Sequence, residues 1–211
     1  MRFAFILGTV LLATGCATLR QPAAMVPQPT SDWRMIVTDH DRQRLRDWRS
    51  TFVKAVAAAR AAGHGGELLR EGSLLMPDAA LGGPRIPDGD YRCRIIKLGA
   101  RSAGMLDYVS YPAFTCRVDT RADGAGERRY FTKLTGSQRA MGIIFADSAM
   151  REVLLGTLVL GDEQRALQYG VDQTRDVAGM IERIGPSRWR LVMPEPHFES
   201  QLDVIELVPV E

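Results

Sequence analysis

Histidine and cysteine are scarce in this chain, three of each in 211 residues, and the scarcity excludes much. His40, His64 and His197 stand at a capping stretch, a Gly-rich break and a Pro-flanked loop. No two have the spacing of a zinc site, and there is no CxxC pair. A GxSxG elbow, a phosphate loop and a dinucleotide fingerprint are missing too, so no cofactor is expected. The formal charge is only +2 and no like charges collect into a run, which argues against a nucleic-acid partner. Long hydrophobic runs are lacking as well. The longest, Phe3 to Ala13, would rise about 16 Å as a helix, too short for a hydrocarbon core of about 30 Å.

What is present is ordinary for a folded domain: 45% apolar and 25% charged residues, with enough length for one substantial core. The short apolar run after Met1-Arg2 fits the h-region of a signal peptide. Ala13-Thr14-Gly15-Cys16 follows it and resembles the bacterial lipobox, although Ala13 replaces the commoner Leu. The resemblance implies cleavage before Cys16 and lipid on its thiol. The alternative is cleavage by the ordinary signal peptidase at Ala13-Thr14-Gly15, leaving Cys16 as a free thiol. The lipid reading is preferred, because an unpaired thiol is a liability in an oxidising compartment. The expected organisation is a lipoprotein signal peptide over 1–15, a flexible tether over 16–37, and a single domain over 38–211. The membrane is then a partner through the anchor, and the place is the cell envelope facing the periplasm, at the outer membrane rather than the inner.

Within the domain, Thr38 reads as an N-cap, and Leu45, Trp48, Phe52, Val56 and Ala59 step by three and four as one apolar stripe. Gly63 ends this helix, and Glu67 to Glu71 add a turn, giving a helical part over 38–72. From 88 onward the period becomes two. Strands are expected near 91–98, 106–111, 113–119, 129–135, 140–146, 152–160, 177–184, 188–193 and 203–208, with a short helix over 162–169. The fold class is α+β: an N-terminal amphipathic helix packed on an antiparallel, barrel-like sheet of eight or nine short strands. Cys93 alternates with Tyr91 and Ile95, and Cys116 with Phe114 and Val118. A hairpin turning near Gly104 would set Cys93 opposite Cys116, and a disulfide is expected there, with buried reduced thiols as the alternative.

Residues with chemistry to offer are few. Ser137 sits in a polar turn without a base nearby in sequence. Asp172, Asp176 and Glu182 are the first suspects if the domain is a hydrolase working by carboxylate acid and base. Lys97 falls on the Cys93 face, where it either binds an anion inside the barrel or snorkels out at the strand end. The blocks PDGDYRCRIIKLG, YPAFTCRV, KLTGSQR, LGTLVLGDE, GMIERIGPSRWRLVMP and FESQLDVIELVP resemble an uncharacterised family of proteobacterial exported proteins, a domain of unknown function, from about Asp32 to the C-terminus. The resemblance implies an envelope location and carries over no site residue. The expected role is therefore non-enzymatic, binding an envelope protein or a small ligand. The alternatives are the carboxylate hydrolase and a periplasmic inhibitor that presents barrel loops.

Overall fold

A computed structural model describes residues 31–123 and 126–210; the stretch expected as a signal peptide, Cys16 and most of the stretch expected as a tether lie outside them. Within the stretch expected as tether, Trp33–Met35 form a 3-10 turn, with Asp32 capping Arg34 and the Trp33 indole donating to Asp147 at 3.0 Å. Three helices follow: α1 (Asp39–Arg46), α2 (Trp48–Ala61) and α3 (Gly65–Glu71). Thr38 caps α1 by accepting from the Asp41 amide. Asp47 breaks the expected single helix between Arg46 and Trp48.

Nine antiparallel strands follow among the described residues: β1 (Gly89–Ala100), β2 (Tyr108–Ser110), β3 (Phe114–Asp123), β4 (Gly126–Lys133), β5 (Gln138–Ala146), β6 (Arg151–Leu160), β7 (Asp176–Gly185), β8 (Arg188–Pro194) and β9 (Ser200–Pro209). Eight of them close into a barrel, because β1 also pairs with β9 from Tyr91↔Pro209 to Ala100↔Ser200. The remaining strand, β2, extends the wall beside β1 where β3 stops. Closure pairs each barrel strand on both sides around the ring, and the end of β3 beyond Val118 extends past β1 with β4 as its partner.

Alternation separates two apolar layers. Tyr91, Cys93, Val118, Phe131, Leu154, Ile181, Leu191 and Ile205 fill the interior. Phe52 and Leu74 of the helical segment cover the outer wall over Ile96, Leu98, Phe145, Val192 and Val204. At about 25 cal/mol per Å² of apolar surface, each such large side chain contributes roughly 1.5–3 kcal/mol. Gly142 and Gly156 face one another inside, where a Cβ on Gly156 would overlap the Met141 carbonyl oxygen, so bare backbone is required at this bend.

Two charged clusters pin the helices to the wall. Arg190 and Glu182 are fully buried, and the guanidinium donates twice to Glu182 and to the carbonyls of Ser73, Leu74, Met76 and Pro77. Arg94 ties Glu71 at the end of α3 to Glu206 of β9. One barrel mouth is stoppered by Ile86, whose amide donates to Glu152 and whose carbonyl accepts from Arg129. The other mouth holds the polar groups described below.

Two expectations are corrected. Residues 162–169 form an irregular loop with a turn at each end rather than a helix. Arg139 takes the carbonyls of Gly161 and Glu163, and the Glu163 carboxylate accepts from the Leu160 amide, so local partners replace a helical ladder. The disulfide joins Cys93 and Cys116 with Cα atoms 5.9 Å apart, but Cys93 lies opposite Phe114 and Cys116 opposite Tyr91, so the bridge is diagonal. The interruption at Tyr111-Pro112-Ala113 shifts the pairing: Pro112 donates no amide, and the wall changes from β3 to β2 across it.

Candidate functional site

The open mouth is formed by the ends of β1, β4, β6 and β8 and the starts of β3, β5, β7 and β9. Interior alternation brings Lys97 on β1, Lys133 on β4 and Asp203 on β9 there. Between them and the interruption beside Pro112 lies a cleft of about 330 Å³, lined by Ile95, Tyr111 and Phe114 on one side and by Lys97, Lys133 and Gln138 on the other. Of the three lysines, Lys54, Lys97 and Lys133, two are buried at this mouth.

The two buried lysines differ in their surroundings. Lys97 Nζ lies 3.1 Å from Asp203 and 3.1 Å from Glu199. Burial alone would lower its pKa, but the two carboxylates outweigh burial and hold it above its ordinary value. Burial pushes the Asp203 carboxyl up, while Lys97 and the Ser200 hydroxyl, which donates to it, pull the other way. Lys133 has no carboxylate within ion-pairing distance among the described residues. Its Nζ donates to the carbonyls of Thr135 at 2.7 Å and Gln138 at 2.9 Å, and stands 3.8 Å from the centre of the Phe114 ring. Burial, with Arg139 and Lys97 adding repulsion, draws its pKa down to about 8. Gly136 allows this arrangement: it has φ 92°, and a Cβ there would stand 2.7 Å from the Lys133 nitrogen.

The β8–β9 loop borders the same mouth. Its ends, Glu195 and Glu199, are the two non-glycine residues with positive φ among those described, at 46° and 69°. Arg44 holds the Glu195 carbonyl at 2.9 Å, and Gln138 Nε2 reaches the Glu199 carboxylate at 3.4 Å. His197 lines a smaller neighbouring cavity with Lys97, Asp176 and Asp203.

The suspected carboxylates do not form one centre. Asp172 caps Thr174 in an exposed turn. Asp176 is buried at the start of β7 and accepts from the Gly170 amide; burial raises its pKa. Glu182 lies six residues further along β7, on the order of 20 Å away at the rise of an extended strand, and faces the helices as the counter-charge of Arg190. Paired glycosidase-type acids stand about 5–9.5 Å apart. Among the described residues, no three His, Cys, Asp or Glu side chains converge where they could hold a metal ion. No helix among them is long and apolar enough to cross a membrane.

Sequence reasoning singled out Lys97 but passed over Lys133 and Asp203. The alternation of Lys133 with Phe131, and of Asp203 with Ile205, carried the signal. Fold and site together define a class: a small closed antiparallel barrel, helically buttressed, stoppered at one mouth and polar at the other. The chain belongs to the family described as domain of unknown function DUF4893, which matches residues 33–207. No curated protein and no solved structure shows significant similarity to it.

Proposed function

We propose that this domain is a non-catalytic binding module of the cell envelope, held to a membrane by lipid on Cys16, which takes a small molecule into the open barrel mouth. The observation that carries the binding reading is the cleft of about 330 Å³ between Ile95, Tyr111 and Phe114 and the two buried lysines. Its size is within the range of small-ligand sites, and its apolar wall facing a few fixed polar groups is their usual composition. The anchor is supported by the short apolar run and the small residues ahead of Cys16.

The binding test uses the neutral apolar dye N-phenyl-1-naphthylamine with the full chain. Saturable binding should shift the amide resonances of Ile95, Tyr111 and Phe114, and Ser137→Trp, an exposed position on the rim, should block it. A dye that does not bind, or that shifts only residues remote from the mouth, refutes the reading. For the anchor, Cys16→Ser should abolish palmitate labelling and release the protein from membranes. Retention of that variant after a high-salt wash would show the anchor to be something else.

A further inference from the structure

The mouth carries more polar structure than an apolar ligand needs. Lys97 already has a buried partner in Asp203 at 3.1 Å, yet a second carboxylate, that of Glu199, sits on the same nitrogen at 3.1 Å. That second carboxylate belongs to a side chain 42% exposed, where a surface ion pair contributes little. Glu199 also stands at φ 69°, a left-handed conformation that strains a non-glycine residue. A strained residue thus spends an exposed carboxylate on an ammonium that is already neutralised. Lys133, in the same cleft, has two carbonyls and a ring for neighbours but no counter-charge. A buried ammonium with no anion beside it is stabilised by any anion that can reach it.

We propose that the mouth takes amphipathic organic monocarboxylates, and that in the free protein Glu199 occupies the place of their head group. The ligand's carboxylate displaces that of Glu199 from Lys97 and Gln138 and supplies Lys133 with its missing counter-charge. Its apolar body lies on Ile95, Tyr111 and Phe114, along the gap opened beside Pro112. Glu199, released, turns into solvent, which its exposed position allows at little cost. Asp203 stays with Lys97, since it is buried and held by Ser200. The cation count favours one carboxylate: Asp203 already offsets Lys97, which leaves Lys133 as the one cation lining the cleft without a paired carboxylate among the described residues. The proposal deepens the binding reading above and rests on it.

The test uses the full chain carrying Cys16→Ser, so that neither lipid nor detergent competes, with decanoate, decanol and inorganic phosphate as probes. Decanoate should displace N-phenyl-1-naphthylamine and bind about tenfold more tightly than decanol, the worth of one charge-assisted hydrogen bond. Glu199→Gln removes the competing carboxylate from a side chain 42% exposed, while Asp203 keeps Lys97 paired. It should tighten decanoate several-fold and leave decanol unchanged. Lys133→Met should reduce decanoate to the affinity of decanol. Decanol equal to decanoate in the unaltered chain, or weaker decanoate binding in Glu199→Gln, overturns the proposal. Phosphate that competes as well as decanoate refutes the carboxylate class in favour of a general anion site. If the dye binds and decanoate does not displace it, this proposal fails while the binding reading stands. If neither binds, both fail.

Discussion

Replacing Glu182 by Gln should unfasten the helical layer from the barrel. In the native protein one Glu182 oxygen accepts from Arg190 Nε at 2.8 Å and Nη2 at 2.6 Å, and the other from Arg151 Nε at 2.5 Å. A glutamine keeps one acceptor for Arg190, but its amide donor then faces the Arg151 donor, and neither guanidinium retains a counter-charge. Arg190 cannot retreat to water, because it is wholly buried beneath Phe52 and holds four carbonyls between Ser73 and Pro77. Removing one partner of a buried pair costs about 3–5 kcal/mol. The lower end applies here, since Arg151, with its side chain 29% exposed, can reorient toward solvent. The assay is urea unfolding followed by far-UV circular dichroism. With a slope of about 2 kcal/mol per molar, a loss of about 3 kcal/mol moves the midpoint down by about 1.5 M at unchanged slope. A loss below about 0.5 kcal/mol would mean that the helices are held by apolar contact alone, and the hub described here would be wrong. Glu182→Leu with Arg190→Met separates charge from packing: it should recover part of the loss but not the four carbonyl contacts.

Reducing the Cys93–Cys116 bridge, which spans 23 residues, should lower stability by about 3 kcal/mol on the loop-entropy relation, measured as the unfolding midpoint with and without reductant; a change below about 1 kcal/mol would show that the closed barrel already restrains this hairpin. Lys133 gives a pH signature. Its folded pKa of about 8 lies below the ordinary 10.5, so the folded state is penalised below about pH 8 and the penalty fades as pH rises toward 10.5. The native chain should therefore gain stability relative to Lys133→Met between pH 8 and 10, and a difference that stays flat over that window would show that Lys133 titrates normally.

Much of this architecture was legible in the sequence, because period-two alternation and Gly or Pro turns are local signals. All nine strands fall near their expected places, and Thr38 caps the first helix as its position suggests. The cysteine register was not legible, for a geometric reason. A slip of two residues leaves every side chain on the same face, so alternation cannot distinguish Cys93 opposite Cys116 from Cys93 opposite Phe114. Glu182 was misleading for a related reason: both faces of β7 are buried, one by the barrel interior and one by the helices, and alternation then says nothing about which charges are exposed. Closure through β1 and β9 joins segments more than a hundred residues apart, and no local pattern reports such a pairing. Lys133 could be placed inside from its strand alone, but its surroundings depend on how Gly136 turns the following loop back over it.

The pairing of β1 with β9 also sets a clock. β1 is complete at Ala100, while the residue that pairs with Tyr91 is Pro209. Ribosomes add about 5–20 residues per second, so the 109 intervening residues take on the order of 5–20 s to make. Throughout that interval β1 presents unmatched amides and carbonyls from Arg92 to Leu98, bordered by Ile95 and Ile96. The nascent chain therefore carries an adhesive ribbon that only its own last strand is shaped to cover. Any event that delays or removes residues 200–209 leaves this ribbon as a seed for edge-to-edge aggregation, whatever the stability of the finished protein.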